Sequence, residues 1–120
     1  MGSIVSSNSA AVMGMGVSLP VRRVTSAELD QKFGWKQGKL ERLCGVRQRP
    51  VVSADETQES MGAQAAIAAL ADAGIAASEL DLLLFAAAVG RQPIPATAPL
   101  IKRELGLARE NFPAFDVNAT

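Results

Sequence analysis

The sequence has 120 residues, with Lys+Arg 12 balancing Asp+Glu 12, no histidine and one cysteine. A chain of this length forms one domain or part of one, and its composition excludes three features within the chain: a histidine-dependent catalytic or metal site, an internal disulfide bond, and a basic surface for nucleic acid. Since no apolar run approaches the roughly 20 residues that cross a bilayer, we expect a soluble, cytoplasmic protein without a membrane span, and 48% hydrophobic residues at zero net charge indicate a missing partner.

Hydrophobic periodicity divides residues 10–120 into strands and helices, after a Ser-rich lead over residues 1–9 that predicts a disordered tail. The predicted elements are, in chain order, a strand over 11–19, helices over 26–33 and 36–44, an irregular or extended segment over 46–52, a helix over 57–73, a strand over 82–89, a helix over 97–105 and a strand over 112–117. Gly14 and Gly16 indicate that another backbone approaches the first strand closely.

Polar residues that can cap a helix mark where the helices begin. Thr25 stands three residues before Glu28, which is the spacing of a capping box, and Asp55 stands three residues before Gln58 in a similar arrangement. The helix over 57–73 is long and rich in alanine, so it can lie close against a sheet or another helix.

The strand–helix–strand order over residues 82–117 predicts a βαβ unit with parallel strands. The continuous apolar run over 82–89 is typical of a strand buried on both faces, and a parallel sheet needs helices on both faces. The predicted helices supply only part of that cover, and the sequence ends on a buried strand. The predicted fold class is therefore α/β, with a mostly parallel sheet and covering helices, incomplete on its own; we expect an N-terminal piece of a larger fold.

Four side chains are candidates for chemistry. Cys44, the only thiol, lies at the end of a predicted helix, where the dipole disfavours a thiolate, so we interpret it as a small buried residue rather than a nucleophile. Trp35 and Arg42, with neighbouring basic residues, could sandwich an adenine and hold phosphates. A solvated basic edge with Trp35 filling a gap explains the same residues equally well. Asp116 is interpreted as a structural hydrogen-bond acceptor.

Short motifs occur in order along nearly the whole chain: 16–20 GVSLP, 23–25 RVT, 45–47 GVR, 55–57 DET, 71–75 ADAGI, 81–84 DLLL, 95–98 PATA, 105–107 LGL and 113–119 PAFDVNA. Together, from Met13 to Thr120, they resemble the N-terminal part of β-ketoacyl-acyl-carrier-protein synthase III and its relatives in the thiolase superfamily. The resemblance implies the first part of the N-terminal half of a thiolase-like fold over residues 10–120.

The resemblance also implies an acyltransferase. Such an enzyme moves an acyl group from a thioester, usually of coenzyme A, to a cysteine, and then performs a decarboxylative Claisen condensation in fatty-acid or polyketide-type synthesis. The nucleophile is implied immediately after Thr120, at the start of a buried helix. The catalytic His and Asn belong to a second half, which a complementary C-terminal polypeptide would supply. No catalytic residue, metal or cofactor is therefore expected in this chain; coenzyme A or acyl-carrier-protein thioesters are substrates.

Three substrate-binding residues follow from the resemblance. Trp35 and Arg42 are implied to contact coenzyme A, although Trp35 lies farther from the GVR motif than the family's adenine-stacking Trp and the family's Arg aligns with Leu43; an acyl-carrier-protein donor stays open. Ile94 is implied to line the acyl pocket of the neighbouring subunit in a homodimer, where relatives that condense two long acyl thioesters carry Glu. The strand over 112–118 would pair with its dimer mate. The alternative function is a non-catalytic, thiolase-like partner subunit that acts as a scaffold.

Overall fold

The computed structural model describes residues 9–118. Its elements are β1 (Arg23–Thr25), α1 (Ser26–Lys32), α2 (Lys39–Cys44), β2 (Gln48–Pro50), α3 (Gln58–Ala73), a short 3-10 turn (Ala77–Glu79), β3 (Leu83–Ala86), α4 (Thr97–Glu104) and β4 (Ala114–Val117). Except for Ser9, the predicted disordered tail lies outside the described residues, and so does the predicted position of a nucleophile after Thr120.

The predicted capping box at the first helix is confirmed. The backbone N–H of Glu28 donates to Thr25 Oγ1 at 3.1 Å, and the Glu28 carboxylate accepts from the Thr25 N–H at 2.6 Å. Thr25 also ends β1, which pairs with β2 in an antiparallel ladder. The segment over 46–52 is thus extended, and Pro50 is tolerated because it lies at the end of a two-stranded ladder.

The second helix starts later than the sequence predicts, at Lys39. Its N-cap is Gly38, in the left-handed conformation with φ of +78°, which has no side chain to accept a hydrogen bond. Asp30 of α1 supplies the acceptor instead: its Oδ1 accepts from the Leu40 N–H at 3.0 Å. Because this cap comes from another element, α1 and α2 are fixed against each other.

The long alanine-rich helix is confirmed as α3, but Asp55 does not cap it. Thr57 is the N-cap, accepting from the Ser60 N–H at 3.2 Å, and Ser60 Oγ accepts in return from the Thr57 N–H at 3.0 Å. Thr57 and Asp55 are both residue types that can cap a helix. The helix begins after Thr57 because Ser60, three positions later, completes a capping box with it.

The prediction of a buried strand over residues 11–19 is wrong. The segment is extended without a strand partner among residues 9–118, and its apolar side chains are exposed, with 83% of Val12 and 72% of Val17 accessible. The predicted close approach is confirmed, but the approaching backbone is that of α3: a Cβ on Gly16 would lie 2.2 Å from the Ala65 carbonyl oxygen. Side chains of α3 anchor the segment, as in the 3.0 Å bond from the Met15 N–H to Asp72.

The predicted βαβ unit is confirmed. β3 and β4 are parallel, with Leu84 opposite Phe115, and α4 connects them. The prediction that the strand over 82–89 is buried on both faces is wrong for the described residues, because alternate residues of both strands are exposed on one face, including 54% of Leu84 and 48% of Phe115. The helices cover the other face only.

The small core lies between α3 and α4. Ala63, Ala98 and Ile101 are each at most 4% exposed. Gly62 allows the two helices to approach, since a Cβ at this position would lie 2.7 Å from Cδ1 of Ile101. The fold is therefore α/β with a parallel strand pair covered by helices on one side, as the predicted incomplete sheet requires. No helix of residues 9–118 is long and apolar enough to span a membrane.

Candidate functional site

The carboxyl end of β4 is tied to the N-terminus of α4 by one side chain. The Asp116 carboxylate accepts from the Thr97 N–H at 2.8 Å and from the Ala98 N–H at 2.6 Å. The N-cap residue of α4, Ala96, offers no side-chain oxygen. Asp116 therefore satisfies two N–H groups that have no acceptor within the helix. The interpretation of Asp116 as a structural hydrogen-bond acceptor is confirmed.

Ile94 lies on the loop between β3 and α4. Its side chain is 86% exposed, and a cis peptide bond joins it to Pro95. The loop is attached to the start of α3 through Gln58, whose amide contacts both Val89 and Arg91. Ile94 is thus an exposed apolar side chain on an anchored loop, and it can contact another protein surface.

Trp35 lies in the connection between α1 and α2 and is 40% exposed. The cation over its ring is Lys39, whose Nζ is 4.3 Å from the ring centroid, and Phe33 packs beside it at 5.5 Å between centroids. Arg42 turns toward Gly38, where a Cβ would lie 3.3 Å from its Nη1. Lys39, rather than Arg42, is therefore the cation stacked on the indole.

Two concave regions lie on this part of the surface. One, of about 400 Å³, is lined by Trp35 with the carboxylate-bearing Glu28 and Asp30, an environment that disfavours phosphate. The other, of about 430 Å³, has a basic lining to which Arg22, Arg23, Lys32 and Arg49 contribute. Sequence reasoning missed this basic groove, because only the pairing of β1 with β2 brings the arginines of the two strands together.

Cys44 is the last residue of α2 and is exposed, which corrects the prediction of a buried residue. Its Sγ lies 3.1 Å from the Leu40 carbonyl oxygen, to which the thiol donates. Nη2 of Arg49 lies 3.9 Å from the same sulfur, so Cys44 contacts both a helix carbonyl and a guanidinium group.

The candidate residues fall in two separate places. Trp35 and Arg42 belong to the α1–α2 region, and Ile94 belongs to the β3–α4 loop; within residues 9–118 no hydrogen bond or ion pair joins that region to the loop. Over the same residues, no group of three or more His, Cys, Asp or Glu side chains is placed to hold a metal ion. Within residues 9–118, the candidate residues therefore lie on two exposed surfaces and do not form one site.

Comparison with known proteins identifies relatives of the chain, although no protein-family model matches it. A 3-oxopimeloyl-[acyl-carrier-protein] synthase of Rhodothermus marinus is 38% identical over 98 residues, which are 82% of this chain and 29% of that protein. A β-ketoacyl-[acyl-carrier-protein] synthase III of Chelativorans is 39% identical over 108 residues, 90% of this chain and 33% of that protein. The crystal structure of the priming β-ketosynthase from the R1128 polyketide biosynthetic pathway matches with a TM-score of 0.82 and 30% identity, over 90% of this chain and 32% of that one.

The fold is thus that of the thiolase-like condensing enzymes, of which the described elements form a part. Within that class, the chain is homologous to β-ketoacyl-acyl-carrier-protein synthase III over about 90% of its residues, which confirms the resemblance seen in the motifs. The chain spans about a third of the length of the curated relatives that it matches.

Proposed function

We propose that this chain is part of an acyltransferase that condenses acyl thioesters. A cysteine thiolate attacks the acyl thioester, the carrier thiol leaves, and decarboxylation of a malonyl thioester generates the carbanion that attacks the acyl-cysteine. Backbone N–H groups stabilise the oxyanions of both transfer steps. The product is a β-ketoacyl thioester for fatty-acid or polyketide-type lipid metabolism.

The observation that carries this proposal is homology to condensing enzymes along nearly the whole chain, combined with the Asp116 cap. The cap joins the carboxyl end of β4 to the N-terminus of α4 as one unit. A nucleophile just beyond Thr120 needs such an anchored approach, because an error of about 1 Å at a reacting atom costs on the order of 100-fold in rate.

The remaining parts of the proposal concern partners. A complementary C-terminal polypeptide supplies the nucleophile and the His and Asn, and the complete unit forms a homodimer through the free edge of β4. The exposed apolar face of the β3–β4 pair, which includes Leu84 and Phe115, gives such a complement a surface to cover. The cytoplasm, which keeps the single thiol reduced, is the proposed location.

Substrate binding is assigned by position. Trp35 and Arg42 contact the coenzyme A part of the donor, with an acyl-carrier-protein thioester as the alternative donor, and Ile94 lines the acyl pocket of the dimer mate. The 40% exposure of Trp35 and the exposed Arg42 side chain support the first assignment, and the exposure of Ile94 supports the second.

A second function, a non-catalytic scaffold of the same fold, is supported by the exposed apolar face of the β3–β4 pair, which a partner could cover. It predicts a partner that is stabilised by this chain without turnover.

Turnover separates the two functions. The intact protein, with every polypeptide that co-purifies, is given an acyl-coenzyme A and either malonyl-coenzyme A or malonyl-acyl-carrier-protein. We expect release of carbon dioxide in equal amount to a β-ketoacyl product, and the same rate in Cys44→Ala. Absence of product with every donor would support the scaffold, and loss of product in Cys44→Ala would overturn the assignment of the nucleophile.

A further inference from the structure

The loop that carries Ile94 is held at its base by a single amide. Gln58 Nε2 donates to the Val89 carbonyl oxygen at 2.9 Å, and Gln58 Oε1 accepts from the Arg91 N–H at 3.0 Å. The side chain thus pairs with one backbone acceptor and one backbone donor on either side of Gly90, as a neighbouring strand would.

An ion pair adds a second attachment. Glu59 is buried, with 8% exposure, and its Oε1 accepts from Nη1 of Arg91. No partner for its Oε2 is found among residues 9–118. The ion pair therefore joins the loop to the start of α3 through a buried carboxylate, although the Arg91 side chain itself is half exposed.

Neither side chain is needed for the helix itself. Thr57 and Ser60 already form the capping box of α3, and the side chains of the first two helical residues, Gln58 and Glu59, reach the loop instead. Beyond this base the loop is exposed, and its far end is joined internally by a 3.3 Å bond from Gln92 to the Pro95 carbonyl oxygen. The loop is therefore anchored at its base, while Ile94 at its tip makes no such contact.

We propose that Gln58 and Glu59 are positioning residues that fix the Ile94 loop and thereby set which acyl chain lengths the protein accepts. This inference rests on the proposed function, in which Ile94 lines an acyl pocket. The two residues act through the loop and touch no substrate.

The test uses the intact protein with its co-purifying polypeptides. Gln58→Ala removes both backbone hydrogen bonds, and Gln64→Ala is the matched control, because it changes the same residue type on the same helix but contacts Ser18 instead of the loop. Hydrogen exchange of the Arg91 amide is measured together with the ratio of kcat/KM for a long and a short acyl donor. We expect the Arg91 amide to exchange about fivefold to thirtyfold faster in Gln58→Ala, as loss of one or two hydrogen bonds predicts. We also expect a smaller preference, in kcat/KM, for the better of the two acyl donors.

Gln58→Glu guards against a variant that does not fold, because it keeps the acceptor for Arg91 and loses only the donor to Val89; it should give an intermediate change. Equal exchange in Gln58→Ala and Gln64→Ala would overturn the positioning role. Faster exchange with an unchanged chain-length ratio would overturn the link to specificity. If no acyl donor is turned over by the unsubstituted protein, the proposed function fails, and the exchange result still decides whether the loop is positioned by Gln58.

Discussion

Backbone hydrogen bonds lower the pKa of two glutamates in the first part of the chain, Glu28 and Glu56. A backbone hydrogen bond from Thr25 lowers the pKa of Glu28 below its ordinary value of 4.5. Backbone hydrogen bonds from Ser53 and Val21 likewise lower the pKa of Glu56, which links the loop before α3 to the residues before β1. Both groups therefore bind a proton less readily in the folded state than in the unfolded chain.

The pH dependence of stability follows from the direction of these shifts. A lowered folded-state pKa gives a contribution that is present above about pH 4.5 and is lost as the pH falls through the lowered value. Glu56→Gln should therefore destabilise the intact protein at pH 7, and the difference from the unsubstituted protein should shrink toward pH 3 in urea unfolding. Glu104→Gln is the control, since within residues 9–118 the Glu104 side chain pairs with its neighbour Arg103. A difference that stays the same at both pH values would contradict the shift.

Ile94 gives the second prediction at the residue scale. If its side chain lines an acyl pocket, Ile94→Trp fills part of that pocket and shortens the acyl chains that the protein accepts. Because Ile94 is 86% exposed in this chain, the free energy of unfolding should change by less than about 0.5 kcal/mol. The readout is kcat/KM over a series of acyl donors. An unchanged chain-length preference would remove Ile94 from the pocket.

At the scale of elements, the Asp116 side chain of β4 caps the N-terminus of α4. Asp116→Ala leaves two N–H groups of the helix without their acceptor, so we expect a loss of about 1–3 kcal/mol in the free energy of unfolding. Asp116→Asn retains one oxygen acceptor and should lose less. Denaturant unfolding of the intact protein measures both, and a change below about 0.3 kcal/mol in the alanine variant would show that the cap contributes little.

The contact between the extended segment and α3 gives a steric prediction. A Cβ at position 16 would lie 2.2 Å from the Ala65 carbonyl oxygen and 2.4 Å from the Ala69 nitrogen, and both are backbone atoms that cannot move aside independently. Gly16→Ala should therefore cost about 1–3 kcal/mol of stability. Gly90→Ala is the matched control, because the nearest atom to its Cβ would be 3.7 Å away. Equal stability of the two variants would show that the segment does not pack as described.

Elements whose signals are local could be predicted from the sequence. The Thr25 capping box, the alanine-rich α3, the glycine that ends it and the βαβ order all depend on residues within a few positions of one another. The extended segment over 11–19 was predicted as a strand because its residue types suit one, but a strand exists only where a second strand accepts its hydrogen bonds. The position of Lys39 over Trp35 and the cap of Asp30 on α2 depend on tertiary contacts that no local pattern encodes.

At the scale of the whole molecule, the described residues leave one face of the β3–β4 pair uncovered. Val117 is 41% exposed beside Phe115 and Leu84, and the apolar side chains of residues 12–19 are also accessible. Apolar strand residues on a parallel pair are normally covered by helices on both faces. The composition does not reveal which strand residues share the exposed face, because only the pairing register decides this.

The exposed strand face gives a prediction about dye binding and association. With every co-purifying polypeptide present, an apolar dye such as ANS should bind weakly, since the strand face is then covered. Phe115→Ser changes the exposed face and should weaken association with the proposed complement, whereas Val21→Ser, at an exposed apolar position outside the β3–β4 pair, should not. Retention of the complement by Phe115→Ser, measured by size-exclusion chromatography, would place the interface elsewhere.

We propose that this chain is part of a condensing enzyme whose reactive cysteine is one other than Cys44. The most direct measurement is the intact mass of every polypeptide in the purified protein, before and after brief exposure to an acyl-coenzyme A without a malonyl donor. The account predicts one added acyl group, removable by hydroxylamine as a thioester is, on a cysteine other than Cys44. An acyl group found on Cys44, or no acyl group on any polypeptide, would contradict it.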